Sequence, residues 1–535
     1  MKRFRWLFLL SLVLLGCLAP QKENAFRYRY RYDGDHRLVE STAPDGATTS
    51  YAYDRDGHLV SVKFNKGKVE YGYGEEGLLW TKDGAGSTEY FRDARGRVVD
   101  LLWKRAGLKL VHLDLDPWGG VAGLTVYRVA RLPGAADEAA KQLKAALPAN
   151  AKTLQKRKEA VVRALEAVRA AGAAFVDYSV RYQRDIAGRL TAMDSRAGRV
   201  TFQYDDNTGA VERHLPNGIR TVWQYDADGR LEHLTHLDRD GGELGSWRYE
   251  YNAAGAVQSV VETLEGRRTE TRTRYDEQGV LREVFGGGPQ PRLWQYDPYG
   301  REVQEGDATL EWDRAGRLAA RTAKGVRVQF EYDGRNLPIR ATAGKPEYRY
   351  RWDTEARLEE YGSAQDRRHL LPDLTGTSAA PWMMWSEDGS KAASYYSDGS
   401  VYAEVGANGE ARYLLRDGLG RVRLTTGQDG RVAGRNAPRI IPAGLGGAAS
   451  FHDAEDNLPA DLAEYAASTT AWQNAALEVP ELRGWLYNTK VQNYVGDFLK
   501  STVKDDIDYV FKGISNDWSD AWKDTRELFP TGRGW

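Results

Sequence analysis

The sequence predicts a mainly β chain: a run of repeated hairpins, interrupted by an inserted helical hairpin and followed by an α-helical C-terminal region. Three observations carry that reading. A Tyr-Asp pair followed by Gly recurs at a spacing of about 20 residues, and a period of that kind marks a stack of like units. The chain holds 30 Tyr and 16 Trp, residue types that suit half-buried strands. Gly numbers 56 against 18 Pro, a balance that favours tight turns over extended linkers. Hydrophobic residues make up 41% of the 535 residues and charged residues 28%, enough apolar material for a core and too much for a disordered chain. The formal net charge of −1 excludes a generally basic nucleic-acid binder, so no nucleic-acid partner is expected. With one cysteine, neither an intramolecular disulfide nor a cysteine-based metal cluster can form.

Lys2, Arg3 and Arg5 form a positive leader, and the apolar run from Trp6 to Leu15 follows it. That run is shorter than the roughly 20 residues a membrane-spanning helix needs, so residues 1–16 read as a cleavable export signal. Leu14-Leu15-Gly16-Cys17 resembles the lipobox of bacterial lipoproteins. The resemblance implies cleavage before Cys17, diacylglycerol on its sulfur and an acyl chain such as palmitate on the new amino group. Residues 17–25 then form a lipidated linker, and the membrane becomes a partner through the N-terminal lipid. An ordinary secretory peptide that contains a cysteine is the alternative. Leu18 rather than Asp follows the cysteine, which resembles the sorting pattern of outer-membrane lipoproteins and implies a place in the cell envelope.

The repeats begin with Tyr32-Asp33, Tyr53-Asp54 with Gly57, and Arg92-Asp93 with Gly96-Arg97-Val98. After an interruption they resume with Tyr204-Asp205, Tyr225-Asp226 with Gly229-Arg230-Leu231, Tyr275-Asp276 with Gly279, and Tyr296-Asp297 with Gly300-Arg301. Trp312-Asp313 with Gly316-Arg317-Leu318, Tyr332-Asp333, Trp352-Asp353 with Arg357-Leu358, and Asp417 with Gly420-Arg421-Val422 close the series. Tyr-x-Tyr alternation places both rings on one face of a strand. The Asp carboxylate accepts bonds from backbone N–H groups just ahead, and Gly three or four residues on supplies the positive φ such a turn demands. Arg-Leu opens the returning strand. Each unit is then about one hairpin, which is marginal alone and must share its buried face with its neighbours.

The motif Tyr-Asp-x-x-Gly-Arg-Leu resembles the YD repeats of the RHS family, which includes bacterial Rhs proteins, teneurins and the cocoon-forming subunits of Tc toxins. The resemblance implies a spiralling β-sheet, here an open or partial RHS-type barrel or cocoon, over residues 26–133 and 176–435. The family's self-cleaving core is not found in Gly444 to Asp456. A non-enzymatic shell that offers its aromatic and Arg-rich strands to a protein or glycan partner is the function this implies, since stacking and forked hydrogen bonding suit such ligands. The alternative is an RHS-type polymorphic toxin or toxin carrier whose effector lies in residues 458–535.

Between the two repeat regions, residues 134–175 are Ala-rich. Leu143 and Leu147, then Leu154, Val161, Leu165 and Val168, keep helical spacing, and Pro148 divides them; this predicts a helical hairpin. A Gly-rich linker over 436–457 leads into 458–535. There Val491, Val495, Phe498, Phe511, Trp518 and Trp522 follow a helical stripe, which suits a cap or plug on the sheet as well as a small effector.

Chemistry is sparse. His112, Asp114 and Asp116 alternate along one strand and are weak candidates for a metal site. His233 and His236, three apart in a repeat, diverge if that segment is a strand. Asp505, Asp506 and Asp508 fall on the polar side of the C-terminal stripe. No nucleophile elbow, phosphate loop, dinucleotide fingerprint or zinc-protease helix is present, so no catalytic residue and no cofactor is predicted.

Overall fold

A computed structural model describes residues 28–128 and 176–435, apart from residues 76, 94, 287–289, 324, 344–346, 376–380, 390, 391 and 399. The expected signal, helical insertion, linker and C-terminal helical region lie outside the described residues. Those described form a single 35-stranded sheet. Each strand pairs antiparallel with the next in sequence, as Arg29–Tyr32 does with Leu38–Thr42 and Val422–Thr426 with Val432–Arg435. The strand Val121–Arg128 pairs directly with Val176–Arg184, opposing Thr125 to Ser179. The sheet is therefore continuous from Arg128 to Val176.

Consecutive pairing puts alternate turns on opposite edges of the strip. The turns of the Tyr-Asp repeats, such as 226–230 and 313–317, fall on one edge, while the 238–242 turn, which has the same Asp bonds, falls on the other. Shorter connections such as Glu265-Gly266 fall on the other. At the aromatic residue of most pairs the register slips by one: Tyr225 opposes Leu231, and Tyr251 opposes Val257, while Tyr204 stays in register. This β-bulge recurs at Tyr32, Tyr53, Tyr275, Tyr296, Trp312, Tyr332 and Trp352. Bulges sharpen the local twist and re-aim the side chain. The expectation that both rings share a buried face holds at Tyr332 and Trp352, which lie in a core cluster, and is corrected at Tyr32 and Tyr225, which sit at the strip's edge and stay 46% and 38% exposed.

The strip winds back upon itself. Tyr28 donates to the Ala315 carbonyl across 287 residues, Arg105 meets Glu359 across 254, Tyr413 donates to the Ala197 carbonyl across 216, and Arg423 meets Glu262 across 161. Residue numbers rise together in both partners, so a second pass runs along the first in the same direction. The separation shrinks because the second pass takes fewer residues. Among the described residues the first strand pairs only with the second and the last only with the one before it, which leaves the sheet open. Its largest core draws on both passes: Leu101, Val111, Val126 and Met193 from the first, Leu371, Tyr402 and Leu424 from the second. Trp103 meets Trp385 edge-on at 6.1 Å, and Tyr178 stacks on Tyr396 at 4.8 Å.

Candidate functional site

Asp226 shows how one repeat is built. Its Oδ1 accepts from the N–H groups of Asp228 and Arg230 at 3.0 and 2.8 Å, and its Oδ2 accepts from Arg230 Nε at 2.7 Å. Arg230, so held, lies 4.9 Å over the ring of Tyr251 in the next repeat, whose hydroxyl donates to the Leu231 carbonyl at 2.7 Å. The Arg-Leu of one repeat thus grips the Tyr of the following one. The same grip joins Asp33, Arg37 and Leu38 to Tyr53, Asp185, Arg189 and Leu190 to Tyr204, and Asp313, Arg317 and Leu318 to Tyr332. The backbone N–H and guanidinium of Arg37 hold the Asp33 carboxyl below the usual range, and Arg97 does so for Asp93. Arg, expected to open the returning strand, instead turns back to its own Asp, and the strand begins at Leu. The recurring Gly-Arg-Leu in the sequence was the available signal for this role.

One turn departs from the pattern. His58 stands where Arg is usual, with Nδ1 3.1 Å from Asp54 Oδ2 and its ring stacked 4.6 Å from that of Tyr73. Ligand atoms of Asp54, Asp56 and His58 lie within 4.8 Å of one another. His58 and Asp56 are exposed, and Asp54 Oδ1 is already taken by the N–H groups of Asp56 and His58.

Where the passes meet, charges are buried in pairs. Arg105 Nη1 donates to Asp83 at 2.8 Å and to Glu359 at 2.9 Å, and Arg351 Nε donates to Glu359 at 2.8 Å. The side chains of Arg105 and Glu359 are fully buried. Burial pushes the Glu359 carboxyl up to about 7 against the pull of Arg105. Arg213 pairs with Asp398 at 2.7 Å, and Arg423 with Glu262. Lys109 and Arg128 share Asp177 within the first pass. A buried charge is tolerated only when paired, so these residues fix how the two passes align. No signal in the sequence marks them as partners.

Of the weak metal candidates, His112 and Asp114 stay together and Asp116 parts from them. His112 Nδ1 lies 2.8 Å from Asp100 and its Nε2 3.4 Å from Asp114, while Asp116 Oδ1 caps a turn by accepting from the N–H groups of Trp118 and Gly120. The expected alignment of all three on one face is thereby corrected: Asp116 begins a turn. His233 and His236 share a strand at odd spacing. His236 is buried between Thr221 Oγ1 and the Arg416 carbonyl, each 2.9 Å away, and burial lowers its pKa to about 3. Cys17, Asp505, Asp506 and Asp508 lie outside the described residues.

The gripped turns and wound strip define a protein of the YD-repeat sheet class. The RHS Repeat family model matches residues 32–69. The chain is 25% identical to human teneurin-4 over 41% of its length and 7% of that protein's. It is 28% identical to the Probable deoxyribonuclease RhsB of Dickeya dadantii over 36% of its length and 12% of the relative's. The TcdB2-TccC3-Cdc42 crystal structure aligns over 76% of this chain and 26% of that one, at 13% identity and a TM-score of 0.38. The chain thus carries an RHS repeat and is similar to RHS-repeat proteins over part of its length, and it matches only a small part of the length of these curated relatives.

Proposed function

We propose that the chain is a lipid-anchored cell-envelope protein whose wound sheet is a non-enzymatic wall, held to the membrane at Cys17 and facing a protein or glycan partner. The observation that carries the wall is the buried pairing of Arg105 with Glu359 and of Arg213 with Asp398, which locks one pass of the strip to the other. Anchoring rests on the leader and on Cys17. Metabolic labelling with an alkyne palmitate tests it: wild type takes up label and sediments with membranes, and Cys17→Ser does neither. A Cys17→Ser chain that stays in the membrane fraction would sink the anchor. Binding is tested by passing the chain lacking residues 1–16 over purified envelope glycans and extract, where no retained species counts against it.

A second reading is favoured by the likeness to proteins named as deoxyribonucleases: the strip carries an effector in residues 458–535. Expressing the chain without residues 1–16 in the cytoplasm should then arrest growth, and deleting 458–535 should restore it. Unimpaired growth of the first strain removes this reading.

A further inference from the structure

The two passes meet in a polarised way. Along the start of the seam the Asp-turn edge of the second pass seats on the opposite edge of the first, whereas farther on Gly418, after Asp417, packs at Leu231 and Tyr249 beside the Asp turns of the first pass. Arg317, in an Asp turn, donates to Asp45 in a connecting turn at 2.7 Å. Thr354 donates to Thr81 at 3.0 Å, and Glu355 accepts from the Tyr90 hydroxyl. Apart from Arg317, these contacts are made by the first and second residues after the Asp. Gly334 follows Asp333 and lies so near Phe64 that a Cβ there would stand 2.6 Å from the Phe64 Cβ. Ala315, second after Asp313, is 0% exposed. The side chains of Asp333, Asp353 and Asp417 are themselves buried.

The tips of the first-pass Asp turns stand clear of this seam and form a free rim. Their tips at Asp35, Arg55, Arg95 and Asp228 are exposed. On this rim the same two tip positions carry large apolar side chains: Trp118, second after Asp116, is 91% exposed, and Ile186, first after Asp185, is 108% exposed. The strip also has a free receiving edge. In the seam the receiver is Phe64, the last residue of its strand before a connecting turn. Phe285 holds the same place at the end of Leu281–Phe285 and is 40% exposed, while Val326, just after another such turn, is 52% exposed.

We propose that the free rim at Trp118 and Ile186 docks onto the connecting-turn edge, at Phe285 and Val326, of a second copy of this chain. The contact continues the internal seam from one molecule to the next. It is heterologous, joining unlike surfaces, so copies add head to tail rather than closing as a symmetric pair. The inference rests on the seam and the two free edges, and stands whether or not Cys17 carries lipid.

Sedimentation velocity of the full chain in a non-ionic detergent tests it. Wild type should shift with rising concentration from one chain to species of two or more. A rim variant, Trp118→Asp with Ile186→Asp, and a receiver variant, Phe285→Asp with Val326→Asp, should each remain single. All four residues are partly or wholly exposed, and circular dichroism identical to wild type shows that the variants fold. Mixed in equal amounts, the two variants should form heterodimers and nothing larger, because each keeps one intact half of the contact. A wild type that stays single at every concentration, variants that assemble as wild type does, a mixture that fails to pair, or assembly only with a different envelope protein would each overturn the proposal.

Discussion

The residue three after Asp adopts a positive φ in nearly every turn, and glycine fills that place in most repeats: Gly57 at 89°, Gly229 at 75°, Gly316 at 78°. His36, Asn336 and Ala356 hold it at 62°, 63° and 60°. A Cβ in this region meets the following carbonyl, at a cost of about 1–2 kcal/mol for a residue such as alanine. Ala356 is exposed and has no packing to lose. Ala356→Gly should therefore raise stability by about 0.5–1 kcal/mol once the greater freedom of glycine in the unfolded chain is subtracted, read as a higher urea midpoint. The grip between repeats is equally local. Tyr251→Phe removes the hydrogen bond to the Leu231 carbonyl and should cost about 1 kcal/mol. Arg230→Lys keeps the charge but loses the planar stack on Tyr251 and the forked contact with Asp226, so its midpoint should also fall.

A hairpin depends on its turn, and a wound strip depends as well on what its turns touch. Gly334 and Gly84 both occupy turns without a positive φ, yet Gly334 faces Phe64 across the seam while Gly84 has nothing within 4 Å. Gly334→Ala should destabilise by about 1–3 kcal/mol, as overpacking does, and Gly84→Ala should be close to neutral; equal melting temperatures for the two would mean that the passes are not in contact there. The contrast also explains what the sequence could disclose. Asp, Gly and Tyr recur in phase because turn and strand are decided within one unit, so the hairpins described over 28–128 and 176–435 are readable by period alone. The bulge at most Tyr-Asp pairs is not, since alternation of Tyr-x-Tyr predicts a regular strand and a one-residue slip leaves no compositional mark. Nor is the seam. Arg105 and Glu359 lie 254 residues apart, and nothing near either one names the other.

For the molecule as a whole, the buried charges make stability depend on pH in a direction that can be worked out. Burial, reinforced by the neighbouring Glu305, raises Glu302 from 4.5 to about 8, and burial raises Glu359 to about 7. Above pH 6.5 the folded sheet still holds protons on these groups that the unfolded chain has released, so stability falls as pH climbs toward 8. His369 acts in the same sense: its bond to Glu360 raises it from 6.5, so the stability it adds is present below that value and lost as pH rises. His236 has the opposite sign, since burial lowers its pKa from 6.5 to about 3 and the folded form resists its protonation. That effect is complete above pH 6.5, as is that of the turn carboxylates, which lie below 3.8. In the window from pH 6.5 to 8 only the falling contributions remain, and the chain should melt at a lower temperature at the upper end than at the lower. Glu302→Gln cannot lose a proton there and should flatten the slope, and Glu359→Gln should flatten it further within the same window. A melting temperature that rises across the interval, or a slope unchanged in both variants, would show that these carboxylates are charged and solvated, and that the strip is not wound tightly enough to bury them.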